Sequence, residues 1–432
     1  MTPTLRWGAL LLLAPALIAA DWPQWRGANR DAHSPETGLL AEWPDGGPPL
    51  LFSAEGLGRG FSSLAVTQGV ILTLGDVGED QFVIAMNEQD GSLAWRTRIG
   101  PAMTSDVEYA YPGARSTPTV DGGRVYALGS EADLVCLRLE DGEEVWRRNL
   151  QHDFGGRLMK EDFNWRYAES PLVDGNRVVV TPGAPDAFLV ALDKTNGEEI
   201  WRSSVASSGE LGLDGAGYSS VVVSEGAGVR QYVQLAGRGV LGVEAETGRF
   251  LWSYNRVAND VANIPTPIVS GDYVFSASGY GAGAALLRLV PGENGGVRAE
   301  EVYFLAGNVM QNHHGGIVLH DGHLYLGTGH NRGYPLCVDL QSGERVWGPL
   351  RNSGEGSAAV IYADGRIYMR YQNGLMVLAE ASPEGYQERG SFQIPGADDL
   401  SWSHPVIAGQ RLYLREQDKL HVYDIAGAQA GS

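Results

Sequence analysis

Five segments of the chain end the same way. "DGSLAW" closes at Trp95, "DGEEVW" at Trp146, "NGEEIW" at Trp201, "TGRFLW" at Trp252 and "SGERVW" at Trp347, with tryptophan spacings of 51, 55, 51 and 95 residues. The last gap is near twice the others and predicts a unit that has lost its tryptophan. "EEVYFLAG" fills that place, with Tyr303 or Phe304 as the substitute. A second signal precedes each ending: a small or polar residue, an apolar pair, a tight turn and another apolar run. "STPTVDGGRVYALGS" and "GGIVLHDGHLYLGTG" are examples, and eight copies start near residues 63, 117, 170, 219, 266, 315, 357 and 404. Self-similarity at such a period means stacked structural units, each unable to bury its apolar faces alone.

Each unit reads as four short strands, A to D. Strand A turns at Asp-Gly or a similar pair into strand B, strand C follows, and a glycine turn leads to strand D with its tryptophan. The turn glycines at 91, 142, 197, 248 and 343 suit a positive φ that a side chain resists. The tryptophan supplies a broad apolar plate for the wedge between neighbouring sheets. With 59 glycines and no long 3.6-residue periodicity, the chain is expected to be all-β. Four-stranded units in a ring predict an eight-bladed β-propeller of antiparallel blades.

The eighth unit has strands A, B and C and then stops. "PPLLFSAEG" is a lone apolar strand ahead of the first unit, so Leu50, Leu51 and Phe52 are expected to supply the missing strand and close the ring. Three spans follow: a signal peptide at 1–20, an N-terminal strap at 21–47 and the propeller at 48–432. The first span has Arg6, the apolar run "WGALLLLAPALIA" and small residues before Asp21, which predicts a secretory signal cleaved near Ala20. That run is short of the ~20 apolar residues of a membrane span. No cysteine follows it, so no lipid anchor is expected. The protein is expected in the periplasm or outside the cell, as a monomer. Trp22, Trp25 and Trp43 beside Pro and Gly suggest a segment covering blade edges, with a binding role for Trp22, Trp25 and Arg26 as the other reading.

The formal charge of −20 disfavours nucleic acid and anionic membrane surfaces as partners. Two cysteines in an exported chain invite a disulfide. Cys136 and Cys337, however, hold the same strand C position in blades two and six, which face each other across the ring. A disulfide needs Cα atoms within ~7 Å, so both are expected as buried thiols.

"QNHHGG" at 311–316 falls in the D-to-A connection of blade six. In a propeller the D-to-A and B-to-C connections share one face and surround the mouth of the central channel. The equivalent connections carry Arg115, Trp165, Arg166, Tyr167 and Glu169 in the first blades. Tyr218, Asn259, Asp260 and Asn263 follow, then Glu355, Trp402 and His404. Plain turns use Gly, Pro, Ser and Asp. Aromatics, amides and both charge signs around one mouth predict a ligand-binding face. His313, His314, His330 and Glu355 share that face. A polar ligand contact, turn packing and a metal site are the three readings, and adjacent residues of an extended chain point opposite ways. Glu169 with Asp260 or Glu355 are the carboxylates available for acid–base work. There is no H-E-x-x-H, G-x-S-x-G or P-loop.

"VALDKTNGEEIW", "CVDLQSGERVW" and "LRLEDGEEVW" resemble the repeat of pyrroloquinoline-quinone (PQQ)-binding-like β-propellers, over about residues 50–425. That family includes quinoprotein alcohol dehydrogenases and outer-membrane protein assembly propellers. The resemblance implies two functions. One is a binding or scaffold protein that takes a protein, peptide or saccharide at the channel mouth. The other is a PQQ-dependent alcohol or sugar dehydrogenase, which would need PQQ with Ca²⁺. Members of that second kind carry an adjacent cysteine pair, absent here, and hold Ca²⁺ through Glu, Asn and Asp. Glu169, Asn263 and Asp260 are of the right types.

Overall fold

The computed structural model describes residues 21–104, 109–160, 165–205, 209–351, 354–397 and 400–427. The expected signal peptide at 1–20 lies outside them. The chain forms eight sheets, seven built on the A-B-C-D plan in sequence order and the eighth taking its strand D from the chain's beginning. The inner strands A are Ala65–Thr67, Thr119–Asp121, Leu172–Asp174, Val222–Ser224, Ile268–Ser270, Ile317–His320, Ala358–Ala363 and Val406–Ala408. Several A-to-B turns place two residues at positive φ, as at Asp321-Gly322 and Asp364-Gly365. This turn matches the right-handed twist of the flanking strands. Strands B and C are packed on both faces by neighbouring sheets, so Val178, Val179 and Val180 are all fully buried.

The glycine turn and the tryptophan of the repeat serve neighbouring blades. The indole N–H of Trp95 donates to the Leu139 carbonyl of the next blade at 2.9 Å, that of Trp146 to Lys194 at 3.0 Å, and that of Trp201 to Ala245 at 3.1 Å. The turn glycine of the next blade lies flat on each ring. A Cβ at Gly142, Gly197 or Gly248 would come within 2.5–2.8 Å of Trp95, Trp146 or Trp201. In the unit without a tryptophan, Tyr303 is the substitute. Its hydroxyl donates to the Leu340 carbonyl at 2.8 Å, and Gly343 lies on its ring.

Leu50–Glu55 closes the ring, pairing antiparallel with Lys419–Asp424 in register Leu50 to Tyr423 and Phe52 to Val422. Phe52 takes the tryptophan's position, because Gly91 of blade one lies 2.8 Å from its ring by the same measure. Cys136 and Cys337 are free and buried in separate blades.

The segment before the ring differs from the expected strap. Residues 21–38 enter the central channel from the A-to-B turn face, bend at Trp25–Ala32 and return. Trp22 exchanges two 2.8 Å backbone bonds with Val66 of blade one, and the Pro23 carbonyl accepts from Val120 of blade two. Arg30 donates to the Ser170 and Pro171 carbonyls of blade three at 2.6 and 3.0 Å. His33–Ser34 adds a parallel strand to Ala358–Ala363 of blade seven. Glu36 accepts from Gly409 of blade eight at 2.7 Å. The reason is physical. Each inner strand presents one edge of unpaired backbone groups to the axis, and these need partners. The bend itself uses positive φ at Arg26, Gly27, Arg30 and Ala32. Only the remainder covers blade edges. Trp43 bonds to the Arg389 carbonyl of blade seven at 2.8 Å and packs on Phe392, ring centroids 5.2 Å apart.

Candidate functional site at the channel mouth

The D-to-A and B-to-C loops meet around a cavity of ≈ 410 Å³ at one end of the channel. Its floor is the tip of the inserted segment, Trp25 and Arg26. Trp25 donates to Thr266 Oγ1 at 3.0 Å and its ring lies 4.6 Å from that of His404. The wall is a chain of rings. Phe61 meets Trp402 at 4.8 Å, Trp402 meets Tyr111 at 5.0 Å and His314 at 5.2 Å, and His314 meets His313 at 4.5 Å. His313 continues to His330 at 4.4 Å and Tyr280 at 5.0 Å, and Trp165 with Tyr218 completes the circle.

Two histidines thus stand in the wall with opposite surroundings. His313 is pinned at both nitrogens, Nδ1 to Ser357 Oγ at 3.1 Å and Nε2 to the Tyr280 hydroxyl at 2.9 Å. His314 is half-buried, and its Nε2 is buried without a partner. Burial, helped by the neighbouring His330, pushes His313 down to about 3, and burial pushes His314 well below the usual imidazole range. Burial and the adjacent Arg26 take His404 to about 3 as well. All three rings are neutral near pH 7. Among the described residues the charged groups of the cavity are two guanidinium ions. Arg115 donates to the Ala110 and Tyr111 carbonyls at 3.0 and 2.6 Å and lies 5.0 Å from the centre of the Phe61 ring. Arg26 donates to the Ile317 and Asp31 carbonyls. Burial lowers each arginine to about 10, which leaves them cationic at neutral pH. Among the described residues no aspartate or glutamate lines the cavity.

Of the residues singled out in the sequence, Arg115, Trp165, Tyr218, His313, His314, Trp402 and His404 line this cavity. The others do not. The Tyr167 hydroxyl donates to the Pro182 carbonyl at 3.0 Å, inside a blade. Glu169 accepts from Thr181 N at 2.7 Å and Thr181 Oγ1 at 3.0 Å, and burial raises it to about 8. Asn259 and Asn263 bond each other, at 2.9 Å between side chains, and both also bond Ser278 Oγ. Asp260 and Glu355 are exposed away from the cavity, and Arg166 pairs with Glu131 at 3.0 Å. The D-to-A slots pointed to the face on which this cavity opens but not to which way each side chain turns. Tyr280, Asn331 and Gln372 come from B-to-C loops, whose shared face was the available signal.

The PQQ and Ca²⁺ that the resemblance implies do not fit these residues. Ca²⁺ takes six to eight oxygen ligands, carboxylates foremost. Here Glu169 and Asn263 are spent on internal bonds, Asp260 lies elsewhere, and the cavity itself is cationic. Among the described residues no group of three or more His, Cys, Asp or Glu could hold a metal ion. The two cysteines are in different blades rather than adjacent.

Residues 53–348 match the family model described as outer membrane protein assembly factor BamB. Curated relatives of that name include the protein of Kangiella koreensis, 27% identical over 52% of this chain, and that of Yersinia pestis, 24% identical over 52%. The chain spans about half the length of the curated relatives it matches, 49% and 50% in these two cases. Among solved structures, BamB from Moraxella catarrhalis superposes with a TM-score of 0.57 at 13% identity, over 88% of this chain and 99% of that one. Quinohemoprotein alcohol dehydrogenase from Comamonas testosteroni gives 0.62 at 11% identity, over 95% of this chain and 81% of that one. At such identities the structural likeness shows the fold alone. The eight-bladed ring, its glycine-and-tryptophan repeat and the match over 53–348 together place this chain in the PQQ-like β-propeller family of outer membrane protein assembly factor BamB.

Proposed function

We propose that this chain is an exported scaffold of the cell envelope, and that it binds a protein partner on the loop face around the channel mouth. One asymmetry carries the reading. Large exposed apolar side chains fall in two places only among the described residues. Some lie on the outermost strands, such as Leu93, Val145 and Ile200. The rest lie on the loop face: Val77, Tyr109, Leu211, Val309 and Leu350, with Tyr109 58% and Val309 52% exposed. The A-to-B and C-to-D turns of the opposite face hold none themselves, and Leu50, Leu93, Val145, Ile200 and Val346 are the first or second residues of strands D beside those turns. Apolar groups gathered on one polar-rimmed surface mark an interaction site. The relatives named as assembly factors point the same way. The sequence features of a secretory signal, and the acidity of the chain, support an envelope location without nucleic acid. No helix of the described residues is long and apolar enough to cross a membrane.

Site-specific photo-crosslinking in the intact cell tests this. A photoreactive residue at Tyr109 or Leu211 is expected to trap a discrete protein adduct, and one at Asn196 on the turn face is not. Equal trapping from both faces, or none from either, overturns the proposal.

A further inference from the structure

At the channel axis the inner strands leave some backbone paired and some unpaired. In most blades a two-residue turn joins strands A and B, and its closing pair exchanges hydrogen bonds. Asp121 opposite Arg124 is an example. Pairs along an antiparallel ladder alternate, so the residue before the closing pair turns its N–H and C=O away from strand B, toward the axis. The registers make these residues Val66, Val120, Val173, Val223, Val269, Leu319, Tyr362 and Ile407. The inserted segment meets five of them. Val66 exchanges two bonds with Trp22, Val120 N donates to the Pro23 carbonyl and Tyr362 N to that of Ala32, all at 2.8 Å. The Leu319 carbonyl accepts from His33 Nε2 at 2.8 Å, and that of Ile407 from Ser34 Oγ at 3.1 Å. Val173, Val223 and Val269, in blades three to five, have no such partner among the described residues. They are half-buried, whereas Val66, Val120 and Ile407 are 2%, 7% and 1% exposed. Ala28 and Asn29, at the tip of the inserted bend, are exposed, yet neither lines the mouth cavity. The insertion thus lies against one side of the channel and leaves the other side open on the turn face.

We propose that this open side of the channel receives an extended peptide strand from another chain, which enters on the turn face and pairs through its backbone with Val223 and Val269. A solvated strand edge is a template for a further strand. Recognition by strand addition draws its affinity from main-chain bonds. The usual guards of an edge are missing, because the runs Val222–Ser224 and Ile268–Ser270 contain no lysine and no proline. The chain's own beginning shows the mode. Trp22 bridges blade one in the antiparallel sense while the Pro23 carbonyl bonds blade two, so one segment spans two adjacent inner strands. His33–Ser34 pairs with blade seven in the parallel sense, so the ring accepts extended backbone in either direction. Val223 and Val269 stand in adjacent blades as Val66 and Val120 do. What the ligand must offer is a run of free alternating N–H and C=O groups, rather than a charge or a ring. The slot opens on the turn face, so the inference does not rest on the loop-face reading.

The test is calorimetric titration of the full chain with acetyl-Thr-Val-Thr-Val-Thr-amide, and with the same peptide N-methylated at its three central residues. The plain peptide is expected to bind saturably, and its methylated twin about ten-fold or more weakly, because it has lost those donors. Asn29→Trp puts bulk on the exposed tip and is expected to weaken the plain peptide by about ten-fold. Asn196→Trp, on an outer turn, is expected to leave it unchanged. Val223→Pro removes one axis-facing donor and is expected to weaken binding as well. No saturable binding, the result if water or the chain's own ends hold these edges, overturns the proposal. Equal binding of the two peptides also overturns it. So does binding untouched in folded Asn29→Trp and Val223→Pro, which would put the peptide on the outer edges of strands D. If neither variant folds, amide exchange in the wild-type chain decides: the peptide must slow the Val223 and Val269 N–H groups, and unchanged exchange there refutes the slot. Crosslinking at Tyr109 reads the loop face independently, so either reading can fail while the other stands.

Discussion

The indole of Trp25 and the imidazole of His404 lie 4.6 Å apart, centroid to centroid, although one precedes the ring and the other leads into its last blade. The contact joins the inserted N-terminal segment to the loop face. It makes the cavity floor a property of the whole ring rather than of any blade. An open channel would leave eight strand edges unpaired; here the chain's own beginning pairs most of them and stops short of the mouth.

That insertion should be a large part of the ring's stability. Trp22 is 2% exposed and bonds blade one through its backbone. Trp22→Ala is expected to cost about 3–5 kcal/mol, the range for a buried Trp truncation. Urea unfolding followed by circular dichroism measures it, and a loss below about 1 kcal/mol would show that the segment is only a lining.

The repeat glycines make a sharper claim, because two of them separate backbone strain from steric clash. Gly122 has φ +57 and nothing within 4 Å of a Cβ, and Gly248 has φ +74 with Trp201 at 2.5 Å. Gly122→Ala should cost about 1–2 kcal/mol from the left-handed backbone alone. Gly248→Ala should cost a further 1–3 kcal/mol, roughly, from overpacking. Similar melting temperatures for the two variants would refute the inter-blade role.

Arg370 and Glu416 form a buried ion pair at 2.6 Å between blades seven and eight, with Arg370 also bonded to the Ser403 carbonyl at 2.8 Å. Removing one partner strands a charge. Glu416→Leu should destabilise by about 3–5 kcal/mol, and the double variant Arg370→Met/Glu416→Leu should recover most of that. A double variant no better than the single one would mean that the pair's hydrogen bonds matter more than its charges.

Glu169 gives a pH dependence with a definite sign. Burial raises its carboxyl to about 8 in the fold, from an ordinary value of 4.5. Between those values the folded chain keeps a proton that the unfolded chain releases. Its contribution to stability is therefore full below about pH 4.5 and falls as pH rises toward 8, by about 1.4 kcal/mol per pH unit. Glu169→Gln cannot ionise. The gap between variant and wild type in urea midpoint should shift in the variant's favour across this window, and a constant gap would place the titration elsewhere.

For PQQ itself the expected result is negative. Adding the quinone with Ca²⁺ to the purified chain should give no Ca²⁺-dependent heat and no dye reduction with alcohols, because the cavity has guanidinium groups where a cation would need carboxylates. Calcium-dependent binding would restore the dehydrogenase reading.

Much of the ring was legible in the sequence because its interactions repeat. In most units the turn glycine and the tryptophan recur in the same places, although Trp252 donates to Gln231 Oε1 of its own blade, so even an altered copy could be read: Tyr303 for the missing indole, Leu50–Glu55 for the missing strand. The candidate site was legible only to the level of a face. Glu169, Asn259 and Asn263 share connections with Arg115 and Trp402 but turn into the blades, where Thr181 and Ser278 await them. Side-chain direction there depends on irregular loop backbone, which no period encodes.

The sequence alone determined the number of blades, their strand order and the closing strand, since these follow from local periodicity and turn chemistry. Tertiary structure alone decided that residues 21–38 enter the channel and that Trp25 and Arg26 floor the mouth cavity. Those contacts join residues hundreds of positions apart and occur once each, so only the closed ring brings them together.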